Sequence, residues 1–534
     1  MRFLNGFRLA VLAVACLTAA SAYAIAPGQR DESDDFFDQG QIPQIKITVS
    51  EKEMQKWRGD IRKYVSCTIE ENGKTTFERV SIKAKGAAGS FRDINDRPAL
   101  TLNFSRENKG QRFHALHKIH LNNSVQDDTY ISEWLCSQLC KETGVPAARA
   151  SHARVWLNGR DLGMYGLKEG FDDYFLARHF TNSKGNLYDG GFCTDIDADL
   201  EKDEGPPPHD KADLKALVAA CREGDPAKKW PLIEQRLDID AFLNFVSLEL
   251  MTCHWDGYVQ NRNNYRVYFH PANGKAYFFP HGMDQMFGDP NFGVFHQPGQ
   301  IVSSQVLAHP EWRARYRERV KANLGFYAPE KLNAKIDQLH ARLRPAFAAI
   351  SEDRAKNFDN QAKGWKDRVA QRAKIIKEQM RNAPPTVVVF KDNNPIVLDE
   401  WYAGPNPGDA KMDEMQHDGK NLLPIYVGPS NRSTASWRRK VLLSKGTYRF
   451  EATGRVTGVT PIEDTSGRGF GIRLSGVTMI DPAKYLSGTT NWTPLSLEID
   501  VQEPERAIEI VAELRATAGK AWLDASTLKL VKIK

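Results

Sequence analysis

His254-Trp-Asp-Gly-Tyr-Val-Gln-Asn261-Arg-Asn-Asn264-Tyr-Arg-Val-Tyr268, followed by Phe279-Pro-His-Gly-Met-Asp284-Gln-Met-Phe-Gly288, is the most informative stretch of this 534-residue chain. Upstream, Trp230 to Cys253 carries an apolar stripe (Leu237, Phe242, Phe245, Leu248, Leu250) at helical spacing. Downstream, Arg266-Val-Tyr-Phe and Ala276-Tyr-Phe-Phe flank Asn273-Gly274, a hairpin signal. The stretch therefore predicts a helix, an acidic loop at Asp256, a short hairpin and a second acidic loop at Asp284.

The pattern on either side gives the fold class. Ile45-Lys-Ile-Thr-Val-Ser alternates like a strand, and Ser50-Glu-Lys-Glu opens a short helix with a capping-box pattern. Tyr64 to Ile69 and Phe77 to Ala84 turn at Asn72-Gly73, and Arg154-Val-Trp-Leu and Gly163 to Leu167 turn at Asn158-Gly159. Leu100 to Phe104 and Lys118 to Leu121 add strands, and Asp127-Asp-Thr caps a helix through Trp134 and Leu139. Phe104, Trp134 and Trp156 read as core. Residues 199–229, charged and holding Pro206-Pro-Pro, read as a loop, whereas Glu311 to Arg381 is helical without a sustained heptad. A strand-rich first part and a helical second part make an α+β arrangement over residues 42–383. Composition changes at Asn382-Ala-Pro-Pro, and residues 387–534 hold short strands between Gly-, Pro- and Asn-rich turns, the pattern of an all-β jelly-roll or sandwich domain.

Arg2 and Arg8 precede an apolar run from Leu9 to Ala20 and then Ala22-Tyr-Ala24, which reads as a secretory signal over residues 1–24, cleaved near Ala24. Residues 25–41, acidic and polar, read as a flexible lead-in. No later apolar run is long enough to span a bilayer, so the expected product is exported, whether secreted, periplasmic or at the cell surface. The net charge of +6 comes from 73 basic and 67 acidic residues without a basic tract, which argues against a nucleic-acid surface. Six cysteines follow the signal. Cys136 and Cys140, one helical turn apart, read as small buried residues rather than metal ligands, because no partner pair at zinc spacing accompanies them.

Phosphoryl transfer asks a protein for a carboxylate that orients the attacking hydroxyl and for oxygen ligands that set divalent ions against the phosphates. An Asp followed five residues later by Asn, and a second Asp after a hairpin, is the kinase form of that set. Asp256, Asn261 and Asp284 match it. Asp and Asn are also ordinary turn formers, so spacing alone leaves a structural reading open.

The matching phrases extend further: Gly86-Ala-Ala-Gly-Ser90, Pro98 to Phe104, His120-Leu-Asn-Asn-Ser, Asp128-Thr-Tyr, Leu157-Asn-Gly-Arg-Asp-Leu-Gly-Met-Tyr-Gly-Leu-Lys-Glu169 and the Asp256–Gly288 block. In order and spread, residues 42–380 resemble the CotH family of spore-coat-type atypical secretory protein kinases. The resemblance implies a bilobal kinase-like fold, a strand-rich N-lobe and a helical C-lobe, that uses ATP with Mg²⁺ or Mn²⁺ to phosphorylate secreted or surface proteins. It makes Asp256 the catalytic carboxylate and Asp284 a metal ligand. Kinase spacing gives Asn261 as the metal-binding amide, whereas the family's Asn-aromatic-x-x-Tyr phrase gives Asn264. For ATP it implies the Gly86–Ser90 turn, Arg97, Glu133 and Glu169. Two positions depart from the family pattern. His281-Gly282 stands in place of Trp-Asp, which removes one carboxylate, and Arg97 stands where a Lys is usual. Those departures support an alternative, a catalytically inactive surface or coat protein that binds through the same fold. The last 150 or so residues resemble carbohydrate-binding modules, with Trp492 as a candidate for stacking on a sugar ring.

Overall fold

The computed structural model describes residues 27–534 except 39, 88, 391–393, 406, 418, 430–431, 463–468 and 478–483. The expected export signal lies outside the described residues. The chain is a mixed α and β protein organised around three main hydrophobic cores.

The described chain starts with α1 (Glu32–Asp38), β1 (Gln44–Thr48), α2 (Glu51–Gly59), β2 (Val65–Glu71), β3 (Thr75–Lys85), β4 (Ala99–Asn103) and β5 (Lys118–Asn122). It continues through α3 (Ser132–Thr143), β6 (Ala150–Leu157) and β7 (Arg160–Glu169). The seven strands close into a barrel in the order β1-β2-β3-β4-β5-β7-β6. Alternation decides what it holds: Ile45, Ile47, Ile69, Ile82, Leu102, Ile119 and Val155 point inward and are fully or almost fully buried. Asn72 (φ 56°) with Gly73 (φ 66°) turns β2 into β3, and Asn158 (φ 48°) with Gly159 (φ 80°) turns β6 into β7. Two consecutive left-handed residues are what a two-residue hairpin turn of this type requires. Ser50 caps α2 by accepting the Glu53 N–H. The Ser132 N–H at the start of α3 donates to the Asp127 carboxylate.

The lead-in expected to be flexible is helical and docked. Phe36 and Phe37 of α1 enter the barrel core. Asp34 pairs with Arg149 (3.0 Å) and Arg178 (3.1 Å), and Arg342 donates to the carbonyls of Gly40 (2.8 Å) and Phe37 (3.2 Å). All three arginines lie more than a hundred residues away along the chain, so no local pattern reports them.

The second part contains α4 (Asp173–His179), β8 (Asn186–Asp189), β9 (Lys202–Glu204), α5 (Ala212–Arg222), α6 (Pro226–Arg236), α7 (Ile239–Met251) and α8 (Tyr258–Asn261). It continues with β10 (Tyr265–Phe269), β11 (Ala276–Pro280), α9 (Ile301–Ala308), α10 (Pro310–Asn323), α11 (Pro329–Ala348) and α12 (Glu352–Asn382). A four-stranded sheet, β11-β10-β8-β9, sits among the helices. The stretch expected as a loop at 199–229 instead holds β9, α5 and the start of α6. Leu214, Leu217 and Val218 bury one face of α5, and Asp225 caps α6 through the Ala227 N–H. The expected helix from Trp230 to Cys253 is broken at Leu237, after which Asp238 caps α7 through the Ala241 N–H.

The last part is all-β: β12 (Ile396–Val397), β13 (Tyr402–Ala403), β14 (Met415–His417), β15 (Lys420–Val427), β16 (Ser433–Pro461), β17 (Gly469–Leu474), β18 (Thr493–Asp524) and β19 (Lys529–Lys532). Its core includes Trp401, Trp437, Phe450, Phe470 and Leu514. Among the described residues no helix is long and apolar enough to cross a membrane. The six described cysteines are free thiols, and Cys136 and Cys140 are buried.

Candidate functional site

Between the barrel and the α7–β11 region lies a cavity of about 510 Å³. Barrel strands supply one wall. Lys85 ends β3, and the turn after it needs two left-handed glycines, Gly86 (φ 102°) and Gly89 (φ 83°). The Ser90 hydroxyl accepts the Ala87 N–H, and Asn123 ties Ser90 down by donating to its carbonyl (3.0 Å). His120, Asn122 and Lys168 line the same wall.

Lys168 is buried and ion-paired with Glu133 in the first turn of α3. Asn122 donates to the other carboxylate oxygen of Glu133 (3.3 Å). Burial works against the Glu133 charge, but Lys168 and Lys85 hold that carboxyl below its ordinary value. Burial, and after it the charge of Lys168, pushes the Lys85 amine down to about 8.

The facing wall is built from the informative stretch. Glu249 on α7 accepts the N–H groups of Tyr258 (3.1 Å) and Val259 (2.8 Å), which anchors α8 and the loop before it. Gly257 presses against that carboxylate so closely that a Cβ there would lie 2.6 Å from it. The loop presents Asp256, whose carboxylate receives three side-chain amides: Asn261 (2.7 Å), Asn263 (2.9 Å) and Asn264 (2.8 Å). His254 Nε2 donates to the His281 carbonyl (2.8 Å), the His281 N–H to the Asn264 carbonyl (2.8 Å), and the Phe287 N–H to the Thr252 carbonyl (2.8 Å). Ser132 on α3 donates to the Met283 carbonyl (2.9 Å) and accepts the Met286 N–H (3.0 Å). Asp284 is thereby stitched to both the Asp256 loop and the helix that carries Glu133. Burial, then the charge of Glu133, pushes the Asp284 carboxyl up to about 6, with Lys168 opposing.

Most of the expected site residues meet here. Gly86, Ser90, Asp256, Asn264 and Asp284 line the cavity, and Glu133 lies behind Lys168. Asn261 stands behind Asp256 rather than in the cavity, with its amide also 3.6 Å from the Cys193 sulfur. Two residues expected at the nucleotide are elsewhere. Arg97 donates to the Tyr130 hydroxyl (2.8 Å) and the Met164 carbonyl, and lies over the Tyr165 ring. Glu169 follows Lys168 on β7, so strand alternation turns it to the opposite face. There it pairs with Arg149 and Arg178, and these cations overcome burial and hold it down to about 2.

Lys85, Lys168, Asn122 and Asn263 escaped the sequence reading. Alternation beside Glu169 was the available signal for Lys168, and adjacency to the Gly86 turn was the one for Lys85. At Gly282 the backbone is left-handed (φ 55°), and a Cβ would lie 2.5 Å from the Asn264 side-chain oxygen. A carboxylate at that position does not fit beside the Asn264 amide as it stands.

The Asp284 carboxylate and the Asn264 amide oxygen are hard ligands of the type that holds Mg²⁺ or Mn²⁺. No group of three or more His, Cys, Asp or Glu that could hold a metal occurs among the described residues. The donor set therefore fits an ion that takes its remaining ligands from phosphate and water, as Mg²⁺ commonly does. In the all-β part, Trp492 is half-buried, with Lys420 (4.9 Å) and Arg455 (5.2 Å) against its ring.

A family model described as CotH kinase protein matches residues 82–383. Invasin CotH7 of Rhizopus delemar is 24% identical over 347 residues, covering 59% of this chain and 57% of its own. Invasin CotH2 of the same fungus is 23% identical over 332 residues, 58% of this chain and 54% of its own. The chain thus spans little more than half the length of these invasins. The inner spore coat protein H of Bacillus subtilis is 20% identical over 366 residues, 64% of this chain and 98% of its own. Among solved structures, one described as "CBM4 structure and function" aligns at a TM-score of 0.19 and 16% identity, over 26% of this chain and 96% of its own. A likeness of that size carries no structural argument.

Proposed function

This chain belongs to the CotH kinase protein family, and on that premise we propose that it is an exported atypical kinase. The reading takes the barrel as an N-lobe and the helical part as a C-lobe, with the transfer site in the cavity between them. ATP with Mg²⁺ or Mn²⁺ supplies the phosphoryl group and its counter-charge, and a secreted or surface protein supplies the acceptor hydroxyl. One observation carries the reading: a buried Lys168–Glu133 ion pair on the barrel side faces Asp284 and Asp256 across one cavity.

Each residue then has a task. Lys168, aligned by Glu133, and Lys85 meet the phosphates as positive charges. The turn offers the Gly86 and Gly89 N–H groups to the same oxygens. Asp284 and Asn264 would hold the metal ion. Asp256, fixed by three amides, orients the acceptor hydroxyl and accepts its proton as the hydroxyl oxygen bonds to phosphorus and the bond from phosphorus to ADP breaks. The last part of the chain is read as a jelly-roll sandwich that holds carbohydrate, and the coat and invasin names of relatives fit work at a cell surface or coat.

Calorimetry with ATP and Mn²⁺, beside a labelled-phosphate transfer assay, tests the assignment. Asp284→Ala is expected to weaken metal-dependent ATP binding by about tenfold or more, because the phosphate charge loses its metal. Asp256→Ala is expected to leave that affinity nearly unchanged while transfer falls by about 10²–10⁴. The absent carboxylate at Gly282 favours one rival, a silent binding protein with the same fold. Failure of the wild type to bind ATP with Mn²⁺ present would establish that rival instead.

A further inference from the structure

Among the described residues, three aromatic side chains belong to the set of exposed large hydrophobics: Phe91 (38% exposed), Phe192 (61%) and Trp255 (46%). They sit on three different loops, and being exposed while lining the cavity places Phe192 and Trp255 at its mouth. Phe91 follows Ser90 of the barrel-side turn, Phe192 lies between β8 and β9, and Trp255 directly precedes Asp256. Phe192 and Trp255 line the cavity themselves. Single exposed apolar residues are ordinary on a protein surface, but converging ones mark a contact surface.

Local contacts order the segments that carry these rings. The Trp255 N–H donates to the Cys253 carbonyl (2.8 Å), which fixes the backbone at the ring. Arg62 lies over the Phe91 ring at 5.0 Å and donates to the Gly86 carbonyl (2.7 Å). Asp189 and Asp203, which line the same cavity as Phe192, are both engaged by Arg266.

We propose that Trp255 and Phe192 form an acceptor platform: the acceptor is a polypeptide segment that carries a bulky apolar side chain two residues from its hydroxyl residue. The proposal rests on the kinase reading and names the acceptor that reading leaves open. An extended peptide turns successive side chains to opposite faces and advances by about 3.3 Å per residue, so with a hydroxyl turned toward Asp256 the side chains two residues away face the same wall, where the Trp255 and Phe192 rings stand. Rings on separate loops suit a chain lying across the mouth better than a small hydroxylated molecule held inside. Amphipathic aromatic anchors of this type dominate the energetics of protein contacts.

Two fluorescent peptides test the proposal, one with Phe two residues to either side of Ser and one with Gly at those two positions. Anisotropy titration of the full chain without nucleotide reads their binding. The Phe-bearing peptide is expected to bind about tenfold or more tighter, and Trp255→Ala and Phe192→Ala are each expected to remove most of that difference. Circular dichroism of both variants controls for folding. A wild type without preference, or a preference that survives both substitutions, overturns the platform. Mn²⁺–ATP calorimetry on the same samples separates the two ideas. Peptide preference lost in the variants, with no nucleotide bound by wild type, supports the platform and refutes only phosphoryl transfer.

Discussion

Removing the ammonium of Lys168 leaves the buried Glu133 carboxylate without its ion-pair partner. Such a loss is strongly destabilising, whereas replacing both partners by apolar groups of similar volume is often nearly neutral. Lys168→Met is therefore expected to cost about 3–5 kcal/mol in chemical denaturation. The double variant Lys168→Met with Glu133→Leu is expected to recover a large part of that loss. A single variant as stable as wild type would remove the ion pair from the account of the site. Arg97 shows the converse at this scale. Its charge looked suited to phosphate, yet its hydrogen bonds go to Tyr130 and Met164, so it braces the barrel.

At the scale of elements, one side chain joins three pieces that build the facing wall. Arg372 of α12 is fully buried, and its guanidinium donates to the carbonyls of Leu250 (2.7 Å), Met251 (3.0 Å), Pro290 (2.8 Å) and Phe292 (2.7 Å). Leu250 and Met251 are the last residues of α7, where carbonyls have no partner within the helix. Pro290 and Phe292 follow the Asp284 segment. Arg372→Met leaves all four acceptors without this donor, at a cost expected to be about 3 kcal/mol or more. Arg372→Lys is expected to recover little, since an ammonium lacks the planar fork that reaches separate carbonyls. Urea unfolding of the two variants and wild type measures both expectations, and a lysine variant matching wild type would refute the second.

For the whole molecule, Glu249 gives a pH signature. Burial pushes its carboxyl up to about 8, with the Tyr258 and Val259 N–H groups only partly opposing, whereas an unfolded Glu sits at 4.5. Between those values the folded chain binds the extra proton, so the contribution of this group to stability falls as pH rises from about 4.5 to about 8. Buried His254, pushed down to about 4 chiefly by burial, has the opposite slope at the acid end of that range. A comparison with Glu249→Gln isolates the carboxyl from such groups. The amide cannot ionise, and its loss of one acceptor is the same at every pH. Wild type is expected to lose on the order of 2–4 kcal/mol relative to the variant between pH 5 and pH 8. Parallel stability curves for the two proteins would contradict this.

Alternating strands, Asn-Gly turns and capping residues were legible because each depends on neighbours a few positions away. Asn72-Gly73 and Asn158-Gly159 turn the chain through backbone angles that those residue types favour, whatever surrounds them. The Asp256 and Asp284 loops were legible for the same reason: a helix end, a hairpin and their acids are contiguous. The fate of isolated charges was not. Asp34 read as part of a solvated lead-in, because Arg149 and Arg178 come beside it only when the barrel closes. Lys168 and Glu169 are adjacent in sequence, yet one faces the cavity and the other an arginine pair outside it. The sequence by itself determined the strands, the turns and the two acidic loops. Only the tertiary structure decided which charges share the cavity, since burial and ion pairing depend on which faces the fold brings together.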